Sequence, residues 1–371
     1  MSISVRVDGV DGGARATTIT TPRGTIATPC FMPVGTRGTV RAASAADLEA
    51  LGAQVVLGNT YHLMLKPGAE LIDRLGGLHR FTGWDGHLLT DSGGFQIFSL
   101  DPGGNVAVDD DGVTFKSTYD GSSHRLTPEG AVHVQELLGA DIQMQLDVCP
   151  PLPSPAPVVE LAVERTLAWG ERALASRRRT DDQALFGIVQ GGVDPDLRAS
   201  AAARTAALGF DGFGIGGLSV GESRDEMLPA IAAATGALPA DRPRYVMGLG
   251  DPVGMIEAVA RGVDLFDCVL PTRIARHGAV LTDDGRVNLR NARFATDDGP
   301  LAPGCTCPTC SRHSAALVRH LLAVGEPTAL RLTTLHNLHW TLGLVGRMRE
   351  AILAGTFESL RADVVRSWSG H

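Results

Sequence analysis

Residues 184–217 read ALFGIVQGGVDPDLRASAAARTAALGFDGFGIGG. The apolar run 184–189 is followed by the polar Gln190 and two glycines. Asp194 and Pro195 then open an alanine-rich stretch reaching Leu208, in the cap-then-proline order that starts a helix. A second apolar run, 212–215, ends in Gly216 and Gly217. Strand, helix and strand within about 30 residues make the crossover unit of a parallel sheet.

The same unit repeats outward from this stretch. Apolar runs at 54–57, 87–90, 142–146, 244–247 and 263–266 alternate with helix-like stretches at 128–138, 158–176, 224–235 and 252–261. Pro128 and Pro252 follow Thr127 and Asp251, which repeats the helix-start signal. The residues after each strand separate an open sheet from a closed one. In chain order they are Asn59, Asp91, Asp147, Gln190, Gly216 with Gly217, Gly248 and Asp267. Polar groups at so many strand ends suit a barrel whose site collects one group per strand. An open sheet gathers its ligand groups at one switch point, and no glycine-rich dinucleotide fingerprint follows the first strand. The expected fold is therefore α/β, a (β/α)8 TIM barrel, with residues 1–371 forming a single domain. Residues 1–45, rich in Thr, Gly and Pro, read as an N-terminal β-rich cap. Residues 283–345, which carry a cysteine cluster, read as an insertion near the last strand.

The 371 residues are 44% hydrophobic and 20% charged, enough apolar surface for a large core and too much for a disordered chain. No apolar run approaches the roughly 20 residues that span a bilayer. Met1 to Gly13 lacks the basic start and apolar stretch of a signal peptide. A cytoplasmic protein with no membrane association is the expectation. The net charge of −8 argues against a surface that coats nucleic acid everywhere, but not against a local basic face. Lysine occurs only at Lys66 and Lys116, so phosphate contacts fall largely to arginine. Arg273, Arg276, Arg286, Arg290 and Arg293 cluster late, with only Asp283 and Asp284 among them.

Cys305, Cys307 and Cys310 have the tight spacing of thiolates wrapped around one tetrahedral zinc. A fourth ligand is needed, and His313, His320, His336 and His339 are candidates. Three cysteines and a histidine make a closed, structural site. Elsewhere, residues 90–96 (TDSGGFQ) follow an apolar strand, and their glycines allow close backbone approach to a ligand. Such a turn alone is ordinary turn chemistry. Asp267 after the apolar 263–266, and Asp147 after 142–146, are more telling. A carboxylate at the end of an apolar strand is costly unless it is paired or used. Three strand-end aspartates around one barrel mouth point to acid–base or nucleophilic work on a polar substrate.

Residues 57–63 (LGNTYHL), the Asp91 stretch, 187–191 (GIVQG), 216–222 (GGLSVGE), 245–250 (YVMGLG) and 266–273 (FDCVLPTR), with the cysteine cluster and the later His336-Asn337-Leu338, resemble the tRNA-guanine transglycosylase family. The motifs run in order from about residue 20 to 350. The resemblance implies a barrel with a zinc-binding insertion at 283–345, working as a homodimer. It implies Asp267 as nucleophile and Asp91 as general acid–base. Ser92, Gly93, Gly94, Phe95, Asp147, Cys149, Gln190, Gly216, Gly217, Leu218, Val220, Glu222 and Met247 would join Asp91 around the base. Gly248, Leu249, Gly250, Asp251, Pro252, Val253 and Gly254, with Thr272, Arg273, Ile274, Ala275 and Arg276, would hold the tRNA anticodon loop. Cys305, Cys307, Cys310 and His336 would bind one structural Zn2+ per chain.

The activity so implied replaces the wobble guanine of tRNAs with GUN anticodons (Tyr, His, Asp and Asn) by the deazaguanine base 7-aminomethyl-7-deazaguanine, in queuosine biosynthesis. It proceeds by double displacement through an Asp–tRNA ester and needs no nucleotide or redox cofactor. Cys149 and Val220 match the pocket for that small base, whereas Gln190-Gly191-Gly192 resembles members that use queuine. Ile274 and His277 depart from the asparagines of many bacterial members. Two alternatives stand beside this reading: exchange with queuine as the incoming base, and a non-catalytic RNA-binding family member. The presence of both Asp91 and Asp267 speaks against the second.

Overall fold

The computed structural model describes residues 3–99 and 106–368; the two ends of the expected domain lie outside the described residues. Its central sheet is parallel throughout. The strands are residues 30–35 (first), Val55–Gly58 (second), His87–Thr90 (third), Ile142–Met144 (fourth), Ala184–Val189 (fifth), Gly212–Ile215 (sixth), Arg244–Val246 (seventh) and Leu265–Asp267 (eighth). The first is broken at Pro33 into Cys30–Met32 and Val34–Gly35. The former pairs with the eighth strand, Phe31 opposite Phe266, and the latter with the second, Val34 opposite Leu57. The two ends of the hydrogen-bonded order are thus one chain segment, and the sheet closes into the expected barrel. Proline cannot donate to a ladder, which explains both the break and why 30–35 is hard to see as a strand in the sequence.

The segment assigned to a cap divides in two. Ser4–Asp11, Ala14–Thr21 and Gly24–Ala27 form an antiparallel sheet, while residues 30–35 belong to the barrel. Ile3, Ile19 and Ile26 from the cap join Met32, Leu57, Ile142, Phe186, Ile188 and Leu265 in the barrel interior. Full burial of each such isoleucine stabilises by roughly 1.5–3 kcal/mol. Several polar contacts of the cap go to residues at the N-terminal ends of strands: Ala27 N–H to Gln54, Thr21 to His87, Arg23 to Asp141. Others tie it to the C-terminal helices, where Arg349 meets Asp8 and the Thr17 carbonyl and Phe357 N–H donates to Asp11. Arg15, buried, holds the buried Asp264 through Nε and Nη2, and the carbonyls of Ala240 and Arg242 through Nη1 and Nη2. Arg244 N–H also donates to Asp264, so this ion pair has the full hydrogen bonding that burial demands. With the N-terminal end plugged, the C-terminal end is the open one.

Residues 107–126 add a small antiparallel sheet between the third and fourth strands, which the sequence reading did not anticipate. The cysteine-bearing lobe lies between the eighth strand and the helix Pro327–Ala354. It contains the hairpin Ala279–Thr282 with Gly285–Asn288 and the helix Ala315–Val324, around a core of its own that includes Val280, Leu289, Val318 and Leu322. No helix among the described residues is long and apolar enough to cross a membrane.

Candidate functional site

A cavity of about 510 Å³ opens at the C-terminal ends of the barrel strands. Asn59, Asp91, Asp147, Gly216, Gly217, Met247, Gly248 and Asp267 line it, contributed by six different strands. The structure therefore brings together the strand-end residues that the sequence singles out, with Gln190 placed just behind them.

Asp91 is buried at the end of the third strand. Its Oδ2 accepts from Asn59 Nδ2 at 2.6 Å, and Oδ1 from the backbone N–H of Thr60 at 2.8 Å and Gly93 at 3.2 Å. Those donors favour the ionised form, but burial and the nearby Asp267 outweigh them and raise the carboxyl to about 7. Asp147 is buried too; burial raises it to about 6 against the Gln190 amide, which donates to Oδ2 at 2.7 Å. Asp267 is half-buried and also raised by burial, opposed by Tyr245 and Gly248. The Tyr245 hydroxyl and the Gly248 N–H (2.8 Å) both donate to Oδ1. Oδ2 is left with free lone pairs, the arrangement a carboxylate nucleophile needs. Tyr245 is itself held well above its ordinary range, by burial first, and so remains a donor.

Arg198 is a functional residue that the sequence reading missed. It is fully buried and has no carboxylate partner; its guanidinium donates to the carbonyls of Gly192 (2.7 Å), Val189 (2.8 Å) and Gly217 (3.2 Å). Burial lowers it only to about 10, so it stays charged and holds two cavity-side turns in place. Its signal was present: Arg198 shares the helix face of Ala201, Ala202 and Thr205, an apolar stripe. Tyr245, Thr60 and His62 were also missed, because their roles depend on contacts made across strands.

Phe95, 48% exposed, and Met247 stand on the cavity wall with Ser92 and Gly93, while Gly94 packs behind them against Leu146. Cys149 lines the cavity as a thiol, pushed to about 12 by burial. The loop 216–222 brings Leu218 and Val220 to the wall but not Glu222. Glu222 instead accepts the backbone N–H groups of Ser219 and Val220, and Ser219 sits at a left-handed φ of 59°. A Cβ on Gly221 would meet the Leu152 carbonyl at 2.4 Å, so the loop is closed tightly against residues 149–153.

The two stretches assigned to RNA are mostly inward-facing. Leu249, Pro252, Val253, Thr272, Ile274 and Ala275 are buried, and Gly250 packs against Cys268. Gly254 N–H is used by Asp251, which caps the helix Pro252–Val259. Gly248, Arg273 and Arg276 remain exposed. Ile274 packs in the core, so its departure from asparagine changes no surface group.

Cys305, Cys307, Cys310 and His336 meet in one cage, their ligand atoms all within 4.8 Å of one another. His336 Nδ1 lies 3.7, 3.5 and 3.3 Å from the three sulfurs. Donors around a tetrahedral zinc, with Zn–S of about 2.3 Å, stand about 3.7 Å apart, so the set fits such an ion. Nε2 meets the Leu281 carbonyl at 2.8 Å, which places the ring proton there and leaves Nδ1 to ligate. Among the four histidines open from spacing, the fold selects His336.

A family model described as queuine tRNA-ribosyltransferase matches residues 11–370. The chain is also similar to proteins named queuine tRNA-ribosyltransferase. That of Herpetosiphon aurantiacus is 51% identical, the match covering 95% of this chain and 89% of the relative. Those of Desulforudis audaxviator (53%; 94% and 93%) and Moorella thermoacetica (51%; 95% and 93%) are alike in extent.

Proposed function

The chain belongs to the queuine tRNA-ribosyltransferase family, and on that premise we propose that it exchanges the wobble guanine of GUN-anticodon tRNAs for 7-aminomethyl-7-deazaguanine through a covalent Asp267–tRNA intermediate. As a tRNA-guanine transglycosylase it is a transferase that swaps one glycosidic bond for another. The observation that carries the mechanism is the pair of unequal carboxylates in one cavity. Asp267 has a free Oδ2 to attack the ribose C1′, while Asp91, raised to about 7, still holds a proton for the departing guanine. The C1′–N9 bond breaks as the ester forms. The incoming base then gives its N9 proton to Asp91, attacks C1′ and releases Asp267.

Asp147, ionised, accepts the purine's ring N–H and amino group, which requires Gln190 to share or leave its bond to Oδ2 and turn to the purine carbonyl. Phe95 and Met247 take the two faces of the base. Because a trans peptide points its C=O opposite its N–H, the Leu218 carbonyl is directed away from Glu222. With Leu218 on the cavity wall, that carbonyl is an acceptor for an ammonium such as the aminomethyl group. Arg273, Arg276, Arg286, Arg290, Arg293, Arg312 and Arg319 form no ion pair with any described carboxylate, which supports a phosphate-binding face from the eighth strand across the lobe. We assign one structural Zn2+ to Cys305, Cys307, Cys310 and His336; when bound, it cross-links the lobe to the helix Pro327–Ala354.

Two roles in opposite protonation states set the pH response. As pH rises through about 6, Asp147 ionises and exchange is gained; as it rises past about 7, Asp91 loses its proton and exchange declines. The expected kcat/KM profile is a narrow bell, and Asp91→Asn should remove its alkaline limb along with most of the rate. A flat profile between about pH 5 and 9 would contradict these assignments.

Incubation with tRNA carrying labelled guanine, followed by competition between candidate bases, tests the substrate. Release of label by the aminomethyl base, with queuine at least about tenfold poorer, is expected, because Cys149, Val220 and the closed loop leave little room for a ring on that arm. Val220→Gly should narrow the gap by about tenfold, the scale of a few methylenes in a pocket. Equal use of both bases by the wild-type protein would favour queuine.

A further inference from the structure

The barrel mouth carries a second cationic feature that base recognition does not use. Arg37 follows the first strand, and Lys66 ends the helix Thr60–Leu65 after the second. Tyr119 sits in the turn between Gly112–Lys116 and Ser123–Leu126. The Arg37 guanidinium lies over the Tyr119 ring, 5.6 Å from its centroid, and the Lys66 ammonium lies 6.0 Å from it. Lys116, the chain's other lysine, stands at the base of the same turn. All three cations are exposed, and none forms an ion pair with a described carboxylate. Asp120, the carboxylate in the turn, is held by the Ser122 N–H and hydroxyl at 3.1 and 2.6 Å.

Tyr119 is firmly placed. Its hydroxyl meets His62 Nδ1 at 2.9 Å with the rings edge to face, and its N–H donates to Ser117 Oγ at 3.1 Å. Next to it, Thr118 bonds the Tyr61 hydroxyl through its side chain and its N–H. Burial and then the Arg37 charge lower the His62 pKa, so the imidazole stays neutral and leaves the field to the two cations. His62 and Thr36 themselves line the catalytic cavity, so the cluster begins where the cavity ends. The eighth, first and second strands are neighbours, which makes it continuous with Arg273 around the rim.

We propose that Arg37 and Lys66, steadied by the Tyr119 ring, are a second phosphate grip for single-stranded RNA beside the extruded nucleotide. Cations with neither counter-ions nor freedom to wander give preorganised phosphate contacts, which lose less entropy on binding than mobile side chains. The ring, in this role, is a strut that sets the spacing of the two charged heads. The proposal rests on the tRNA-exchange reading for its ligand.

The test is guanine exchange into unmodified tRNA over a salt series. For Arg37→Ala with Lys66→Ala, KM for tRNA should rise about tenfold, the loss falling on KM rather than kcat. The slope of log KM against log salt should flatten by about 1.4, at about 0.7 per single-strand phosphate contact. Tyr119→Ala should raise KM about threefold with the slope kept, and Tyr119→Phe should restore most of it. Arg37 and Lys66 are exposed and Tyr119 is half-buried, and unchanged melting of the variants will show the fold intact. A double variant with wild-type KM and slope overturns the proposal. Wild-type protein that binds tRNA with this salt response yet exchanges no guanine would instead overturn the exchange reading and leave the surface standing.

Discussion

Asp267→Ala is expected to lower guanine exchange by about 10⁴-fold or more, the range seen when a covalent nucleophile is removed from an otherwise intact site. The argument is geometric. Tyr245 and Gly248 commit their hydrogen bonds to one oxygen of Asp267 and leave the other bare at the cavity. Asp147 has an oxygen tied to Gln190, and Asp91 has three donors across its two oxygens. Asp251, also on the cavity wall, is ion-paired with Arg224, and Asp147 is on this reading the carboxylate that holds the purine. The fold should survive, because removing a carboxyl that burial already disfavours relieves a desolvation cost. The proposed tRNA contacts lie elsewhere on the rim, so affinity for tRNA should change by no more than about threefold. Asp267→Asn is the sharper variant: it keeps the shape and an acceptor for Tyr245, and lacks only the nucleophilic charge. With 9-deazaguanine present, the wild-type protein should give a tRNA adduct that resists denaturing gels. Neither variant should give one. An adduct formed by Asp267→Ala would transfer the nucleophile's role to another residue, with Asp91 the first candidate.

Local signals made most of the barrel readable. Ala184–Val189, Gly212–Ile215 and His87–Thr90 stand where the apolar runs placed them, since each is short, fully buried and bounded by turn residues. The first strand escaped because Pro33 splits it into pieces of three and two residues, too short to carry a pattern. The sheet at 107–126 escaped because its strands alternate only weakly and pair with one another, not with the barrel. The site shows the same division. Asp91, Asp147 and Asp267 were visible as charges at the ends of apolar strands. What tunes them was not, because Asn59 to Asp91 and Tyr245 to Asp267 are contacts between neighbouring strands, set by barrel closure. The helix Leu270–Arg276 offers a third case. Arg273 and Arg276 are three residues apart and share its exposed face, so burial of Thr272, Ile274 and Ala275 follows from helical period once the helix is known. Read as a linear motif, the same residues look like one continuous RNA contact.

Removal of the metal should be felt in the lobe rather than in the barrel. Three of the proposed ligands lie on the irregular segment 305–310, whose own backbone makes few regular hydrogen bonds. The fourth, His336, is fully buried in the helix Pro327–Ala354, which also packs against the barrel. Through Nε2 it reaches Leu281 in the hairpin, so one ring joins three pieces of chain. The lobe's apolar core is small, and structural zinc in small domains contributes about 10 kcal/mol or more to folding. That is as large as the whole stability of a typical domain, so a lobe of this size cannot absorb its loss. His336→Ala, or the wild-type protein held in strong chelator, should therefore lose its one equivalent of zinc and become open to protease between residues 283 and 326. The barrel should keep its own cooperative melting, because the plugged N-terminal end and the core around Phe186 and Ile188 do not touch the lobe. Exchange on tRNA should fall at least about 100-fold although Asp91 and Asp267 are untouched, since most of the proposed arginine face (Arg286, Arg290, Arg293, Arg312 and Arg319) is carried by the part that melts. Metal analysis, limited proteolysis and the exchange assay read these three effects separately. A His336→Ala protein with full zinc content and unaltered protease resistance would show that another side chain closes the cage.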